Sequence, residues 1–231
     1  MGATFDFSFV IQYFIKLLPT IQLTLLIVAS AIVIGLVVGF LVALPQMYNI
    51  PVLRRVSQVY ISFFRGTPIL IQLFLFYYGL PEMLKLIAVD AARLPALYFV
   101  ILTYGLHSGA FMSEMIRAAV ASVDRGQVEA AFAVGMTGPQ AFLRIVLPQA
   151  FVTALPVFSN LIIASLKDTS LAFSVGVMEL TGKASTLAVV SRHLIEAYIS
   201  LAAIYFIVSF VLERLLRLLE QRVQKRGLAS L

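Results

Sequence analysis

The most constraining feature of the sequence is a run from Leu17 to Leu53 that contains no Asp, Glu, Lys or Arg. A helix rises about 1.5 Å per residue and the hydrocarbon core of a bilayer is about 30 Å thick, so about 20 apolar residues cross it. Across the chain, 61% of the residues are hydrophobic and 12% are charged, whereas soluble domains average about 45–50% and about 25%. The sequence therefore predicts an all-α, polytopic integral membrane protein.

The apolar runs and their breaks predict five spans within one domain that covers residues 1–231. The predicted spans are about residues 20–45, 58–80, 94–117, 145–166 and 193–215. The second span is interrupted by Arg65-Gly66-Thr67-Pro68, where a charge precedes residues that weaken helices. The segment Phe5–Leu18 carries Asp6 and Lys16 and is predicted to be an interfacial helix. Residues 167–190 are too short and too polar for another crossing and predict a re-entrant or outer-surface element.

Basic residues beside the spans predict that the N-terminus lies outside and the C-terminus in the cytoplasm. Ten lie on the side assigned to the cytoplasm, namely Arg54, Arg55, Arg117, Arg125, Arg144, Arg214, Arg217, Arg222, Lys225 and Arg226. Five lie on the other side, namely Lys16, Lys85, Arg93, Lys183 and Arg192. This distribution follows the enrichment of Lys and Arg in cytoplasmic loops. It also explains the net charge of +6 and favours membrane lipid over nucleic acid as a partner.

The sequence offers no constellation for covalent catalysis or for a cofactor. It has no cysteine, and its two histidines, His107 and His193, lie far apart, which excludes disulfides, thiolate nucleophiles and cysteine-ligated metals. Residues 176–183 are similar to a phosphate-binding loop, but the glycines are one residue too far apart and Ala184 replaces the Ser or Thr that binds magnesium. We therefore predict a chain that is not an enzyme and that binds no ATP or other cofactor itself.

The loop between the third and fourth predicted spans, about residues 118–148, contains a spaced motif. Glu129-Ala130-Ala131 is followed after three residues by Gly135 and after nine more by Ile145-Val146-Leu147-Pro148. This pattern resembles the E-A-A-x3-G-x9-I-x-L-P loop of ATP-binding-cassette (ABC) importer permeases. The resemblance implies a coupling helix that docks on an ATPase subunit through Glu129, Ala130, Ala131 and Gly135. The alternative is an ordinary Ala-rich connecting helix that ends at Gly135.

Four more segments are similar to the polar amino acid subgroup of that family. They are Phe64 to Pro68 with Gln72 and Tyr78 to Pro81; Ser108 to Phe111 with Glu114, Ile116 and Arg117; Gly126-Gln127; and Leu166 to Leu171 with Glu179-Leu180. The subgroup usually has Tyr where Phe111 stands and a Gly-rich pair where Ala118 and Ala119 stand. These departures affect the expected substrate contacts more than the assignment to the family.

The resemblance implies a permease that forms the pathway of an amino acid importer as a dimer with a second identical or paralogous permease. It also implies two ABC ATPase subunits, which bind the ATP and Mg, and an extracytoplasmic amino-acid-binding protein. The corresponding location is the cytoplasmic (inner) membrane of a bacterium. The alternative is an ion-coupled secondary transporter, which predicts inverted repeats, and we find none in the sequence.

Ionisable residues in the third span are the first candidates for the substrate pathway, because a charge within a bilayer is unfavourable. Glu114 is a candidate for binding a cationic group of the substrate, and the alternative is an ion pair with Arg117 at i+3. His107 and Ala110 fall on the same helical face as Glu114, and Ser113 lies beside it, which predicts a polar strip. The alternative for His107 is a packing role.

Three further polar residues of the spans are also pathway candidates. Arg65 and Thr67 could bind a substrate carboxylate, but Arg65 could instead satisfy carbonyl groups that the break at Gly66 and Pro68 leaves free. Asn160 in the fourth span needs a polar partner, either on a neighbouring helix or on the substrate.

Overall fold

The computed structural model describes residues 4–88 and 90–228, with side chains up to Lys225, so the side chain of Arg226 lies outside the described part. The described residues form helices and no strands. The α-helices are α1 Phe7–Leu17, α2 Ile21–Met47, α3 Pro51–Gly66, α4 Ile69–Phe74, α5 Leu80–Lys85, α6 Ala96–Ala121, α7 Arg125–Ala133, α8 Gly138–Ala141, α9 Leu147–Asp168, α10 Leu180–Ser191 and α11 Leu194–Leu228. Short 3-10 segments cover Leu18–Thr20 and Thr169–Val175, and π-helical segments cover Leu75–Gly79 and Phe142–Val146.

Four helical stretches are long and apolar enough to cross a membrane, which are Phe7–Met47, Ala96–Ala121, Gly138–Val175 and Leu194–Lys225. The pair Pro51–Gly66 and Ile69–Lys85 is bent by 111° and counts as a fifth span if it crosses as one unit. The predicted all-α fold with about five spans is therefore confirmed, and the bend falls where the sequence predicted a break.

The central contact of the fold joins α2 to α6 through small residues. A Cβ added to Gly35 would lie 2.8 Å from Cβ of Ser108, and one added to Gly39 would lie 2.8 Å from Cβ of Met112. Both distances are shorter than normal van der Waals contact, so only glycine permits this approach of the two helices. Small residues have the same role in other membrane helix pairs. The contact buries one face of α6, whereas Glu114 and Arg117 of the same helix stay partly exposed.

The segment α1 continues into α2 through the single turn Leu18–Thr20 and packs against α10 and α11. Leu17 joins Leu180, Ala184, Leu201 and Ile204 in one buried apolar cluster. Together, α1 and α2 extend over 41 residues, about 60 Å at 1.5 Å per residue. This length is about twice the hydrocarbon thickness, so part of it must lie outside the hydrocarbon, and the interfacial position of α1 stays a prediction.

The segment between α9 and α11 folds as a short compact element. It turns at Gly176, whose φ is 84°, and continues into α10, which at 12 residues is too short to cross a membrane. The carboxylate of Glu179 caps α10 by accepting a hydrogen bond from the Gly182 N–H at 2.9 Å. It also accepts a hydrogen bond from the Tyr205 hydroxyl of α11 at 3.2 Å. The element is thus attached to the bundle by polar contacts as well as by its apolar face.

Candidate substrate pathway and coupling surface

A charged cluster of Arg65, Glu114 and Arg117 joins α3 to α6. Glu114 accepts hydrogen bonds from Arg117, at 3.2 Å between Oε1 and Nε and at 2.9 Å between Oε2 and Nη2. Nη1 of Arg65 lies 3.6 Å from Oε2 of Glu114. The ion pair of Glu114 with Arg117, which was the alternative to substrate binding, is therefore present, and the carboxylate lies between two guanidinium groups on different helices.

The cluster lines an open groove of about 380 Å³, whose other lining residues are Gln46, Arg54, Gln58, Ile61 and Ser62. The side chains of Glu114, Arg65 and Arg117 keep 25%, 46% and 43% of their surface exposed. The groove therefore offers a carboxylate for a cation and guanidinium groups for an anion. Guanidinium groups bind carboxylates through paired, charge-assisted hydrogen bonds.

Arg65 also contacts the residue at which the sequence departs from the subgroup pattern. Its guanidinium carbon lies 5.6 Å from the centre of the Phe111 ring, which is within the range of a cation–π interaction. Phe111 therefore holds the Arg65 head group through its ring, and this contact does not need the hydroxyl of the tyrosine that the subgroup usually has here.

Ser113 does not belong to the face of α6 that carries Glu114, so its predicted place in a polar strip is wrong. Its side chain is fully buried, and its hydroxyl donates a hydrogen bond to the Ala110 carbonyl at 2.8 Å. Ala110 is also fully buried. Ser113 lies where α6 meets α2, since a Cβ on Gly39 would come within 3.1 Å of the Ser113 backbone nitrogen.

The break between α3 and α4 is held by Gln72, so the suggested role of Arg65 in satisfying freed carbonyl groups is wrong. The Gln72 side chain is fully buried. Its amide nitrogen lies 2.9 Å from three acceptors, which are the Phe64 carbonyl, the Thr67 carbonyl and the Thr67 hydroxyl oxygen. Thr67 in turn donates a hydrogen bond to the Phe63 carbonyl at 2.7 Å. Thr67 is therefore part of the break, whereas the Arg65 head group is free to face Glu114.

His107 contacts Gln72 at the break between α3 and α4 and is not part of the charged cluster. Its Nδ1 lies 2.9 Å from Oε1 of Gln72. Because the Gln72 amide nitrogen faces acceptors, its Oε1 must accept here, and His107 must carry a proton on Nδ1. His107 therefore fastens the break in the second span to α6. The sequence pattern included Gln72, but its role could not be inferred because its partner is 35 residues away.

We predict that Gln72→Leu lowers the stability of the purified permease by about 2 kcal/mol. The substitution leaves the buried Phe64 carbonyl without its donor, and one unsatisfied buried group costs about 1–3 kcal/mol. Thermal unfolding in detergent measures the effect, and Gln22→Leu, the same change at an exposed position of α2, is the control. Equal melting temperatures for the Gln72 variant and the parent protein would show that the break does not depend on this side chain.

Asn160 lies on α9 with an exposed side chain, and α9 also borders the charged cluster. Thr153 and Val157 of α9 line a groove of about 490 Å³ together with Arg65 and Glu114. Asn160 follows Val157 on the same helical face. The structure thus brings Arg65 and Glu114 together, places Asn160 on the neighbouring helix, and assigns Thr67 and His107 to the break.

The coupling motif forms the short helix α7 on the loop that joins α6 to α9. α7 begins at Arg125, so Glu129 lies in its second turn. Gly135 has a φ of 84°, and the Met136 N–H donates a hydrogen bond to the Ala131 carbonyl at 3.0 Å. This is the pattern of a helix that ends on a left-handed glycine, and it agrees with the predicted turn at Gly135.

The exposed surface of α7 differs in part from the predicted one. Glu129, Ala130 and Gly135 are exposed, whereas Ala131 is only 4% exposed and packs against its own chain. Ala131 therefore cannot provide a contact surface. Phe132 and Val134 are 52% and 76% exposed and were not among the contact residues predicted from the sequence. No signal in the sequence singles them out, because the same loop holds other large apolar residues such as Val128 and Phe142.

An all-α bundle with a broken span, a charged groove and an exposed loop helix defines a multi-pass membrane transport subunit. Residues 31–225 match the model of the family described as binding-protein-dependent transport system inner membrane component. The chain belongs to this family. This membership confirms a transport subunit of an ABC importer rather than an enzyme, and it disfavours an ion-coupled secondary transporter.

Two curated relatives and one solved structure are similar over nearly the whole chain. The L-cystine transport system permease protein TcyL of Bacillus subtilis is 45% identical over 225 residues, which are 97% of this chain and 94% of TcyL. The probable amino-acid permease protein YxeN of Bacillus subtilis is 39% identical and covers 96% and 97%. A crystal structure of an amino acid ABC transporter with histidines has a TM-score of 0.85 at 34% identity, and covers 95% of this chain and all of that chain.

Proposed function

We propose that this chain forms, with a second identical or paralogous permease, the pathway of an ATP-driven importer of polar or charged amino acids. The observation that carries the proposal is the cluster of Arg65, Glu114 and Arg117 in its open groove. An amino acid has an ammonium and a carboxylate group, for which Glu114 and the guanidinium groups are complementary. The relative TcyL, named for L-cystine, supports a substrate of this class.

An exposed stripe on α9 supports a second permease beside this one. The stripe consists of Thr153, Val157, Asn160, Ala164 and Lys167, which recur every three or four residues and share one helix face. An amide and an ammonium group are unfavourable against lipid. We therefore propose that this face borders the pathway where the two permeases meet, with Asn160 close to the substrate.

The exposed part of α7 supports docking of an ATPase subunit on each permease. Glu129 and Ala130 offer a charge and a small flat surface. Phe132 and Val134 offer apolar side chains that are exposed to water and would be buried by a docked subunit. In this proposal the two ATPase subunits bind the ATP and Mg, and this chain binds no cofactor. A substrate-binding protein delivers the amino acid on the opposite side of a bacterial inner membrane.

The experiment that tests the proposal is uptake by proteoliposomes that contain the permease, its ATPase subunits and the substrate-binding protein. We expect accumulation of a labelled amino acid only when ATP is present on the side of α7. Uptake driven by an ion gradient without ATP would contradict the proposal and would favour the alternative, an ion-coupled secondary transporter.

We predict that the N-terminus lies outside and the C-terminus in the cytoplasm, as the distribution of basic residues indicates. The chain has no cysteine, so single cysteines report their side of the membrane without background. Leu86→Cys, at a position that is 86% exposed, should react with an impermeant maleimide in intact cells. Arg222→Cys, also exposed, should react only after the membrane is opened. The reverse labelling pattern, or labelling of both from one side, would overturn this topology.

A further inference from the structure

An apolar cavity of about 230 Å³ lies between α2, α6 and α9, away from the charged groove. Every residue that lines it is apolar, and they include Leu36, Met115, Val120, Ala150, Phe151 and Phe158. Leu36 and Phe151 are 38% and 55% exposed, so the cavity opens onto the surface of the bundle. An apolar cavity of this kind does not hold ordered water. In a membrane, the material that reaches it is the acyl chain of a lipid.

A second cleft, of about 450 Å³, continues from the cavity toward α7. Val120 lines both of them. The cleft has a mainly apolar wall, to which Tyr48 adds a hydroxyl and Arg117 and Arg125 add two guanidinium groups. On α2, Leu36 of the cavity lies about 18 Å along the helix from Tyr48 of the cleft. Half of the hydrocarbon core is about 15 Å thick, so the cavity is at the depth of acyl chains when the cleft is at the depth of head groups.

We infer that the cavity and the cleft together bind one anionic phospholipid from the leaflet on the α7 side. One acyl chain fills the cavity between α2, α6 and α9, and the phosphate lies in the cleft beside Arg125. Arg117 is already paired with Glu114, so Arg125 is the main cation for the phosphate. Tyr48, which is 67% exposed, has the position and chemistry of an aromatic residue at the membrane surface.

The position of this lipid gives it a link to transport. It contacts the end of α6, which carries Arg117 of the charged cluster, and it contacts Arg125, the first residue of α7. An anionic lipid therefore bridges the helix of the groove and the helix of the coupling loop. We assign the site to a lipid rather than to a second copy of this chain because the apolar cavity and the cleft with its two arginines match the two parts of one anionic phospholipid.

The test uses the assembled complex in nanodiscs of phosphatidylcholine and phosphatidylglycerol in equal amounts, followed by native mass spectrometry. We expect about one phosphatidylglycerol to stay bound per permease chain, in preference to phosphatidylcholine. Arg125→Gln should lower this retention about fivefold, since one basic residue near a membrane surface contributes about that factor. Arg144→Gln, an exposed basic residue outside the cleft, should leave retention unchanged.

A second variant tests the acyl-chain part of the site. Ala150→Leu fills the cavity from a residue that lines it and should also reduce retention, whereas Ala202→Leu on the exposed face of α11 should not. If Ala150→Leu does not assemble, the two arginine variants decide alone. Equal retention of both lipids, or equal loss in Arg125→Gln and Arg144→Gln, would overturn the site. Normal retention in an assembled Ala150→Leu complex would also overturn it, because it would show that the cavity is covered by something other than this lipid.

Discussion

Replacing Phe132 with aspartate is expected to detach the ATPase subunits and to abolish ATP-dependent uptake, while the permease stays inserted in the membrane. Phe132 is half exposed on a loop helix outside the apolar spans, and with the exposed Val134 it places two large apolar side chains on the surface proposed to dock the ATPase. Aromatic residues at the centre of an interface contribute about 2 kcal/mol or more, which corresponds to an affinity about 30-fold lower in the variant. Co-purification of the ATPase, ATP hydrolysis and uptake are measured side by side.

The conservative variant Phe132→Leu is the matched control, because it keeps an apolar side chain and should retain most of the coupling. Glu129→Lys reverses the charge of a second exposed residue on α7 and should reduce the same three quantities. Neither residue lies in an apolar span, so insertion should be normal. Full retention of the ATPase and normal uptake in both Phe132→Asp and Glu129→Lys would remove α7 from the interface.

Substitutions of Gly135 test whether coupling depends on the backbone shape of the loop, independently of the side chains on its surface. A Cβ at this position would meet no atom within 4 Å, but its φ of 84° is unfavourable for residues with side chains. Gly135→Val should therefore weaken coupling by distorting the end of α7, since a left-handed conformation costs about 1–2 kcal/mol for such a residue. Asn adopts this conformation more readily, so Gly135→Asn should couple better than Gly135→Val. Equal activity of the two variants would show that the turn at Gly135 does not matter.

The spans were predictable from the sequence because each depends on a local property of the chain. Apolar runs of sufficient length must be helical in lipid, and Pro68 ends α3 wherever the neighbouring helices lie. The turn at Gly135 was predictable for the same reason, since glycine readily adopts a positive φ. In each case the deciding interactions lie within a few residues of the feature.

The side-chain roles that the sequence did not reveal depend on contacts between distant helices. Ser113 and Glu114 are neighbours in the chain, and only the packing of α2 on α6 decides that the first is buried. The glycines Gly35 and Gly39, one turn apart in α2, were a usable signal for that contact. The role of Gln72 could not be predicted without the position of His107, and no local sequence pattern gives that position.

The second large effect is expected for Glu114, where Glu114→Gln should weaken transport of an amino acid by about 1–3 kcal/mol. This corresponds to a concentration for half-maximal uptake that is about 5-fold to 150-fold higher. The variant keeps the shape of the side chain and removes the charge that lies between Arg65 and Arg117. The measurement is uptake by the reconstituted complex as a function of substrate concentration.

Modified substrates distinguish a direct contact from the ion pair with Arg117. If Glu114 binds the ammonium group, an N-acetylated amino acid should compete poorly with the natural substrate in the parent protein. In Glu114→Gln the difference between the two molecules should nearly disappear. In Arg65→Gln, in contrast, the difference that should disappear is the one between the natural substrate and its carboxamide, because Arg65 would bind the carboxylate.

The combination of Glu114→Gln with Arg117→Gln distinguishes substrate binding from ion pairing. If Glu114 serves only to pair with Arg117, each single substitution breaks the same bond, and the double variant should lose no more than either single one. If Glu114 binds substrate, the double variant should still fail to distinguish the ammonium from its acetylated form, even though the pairing partner is absent. Normal uptake by Glu114→Gln, with the discrimination against the N-acetylated substrate intact, would assign Glu114 to the ion pair alone and leave the substrate to other residues of the groove.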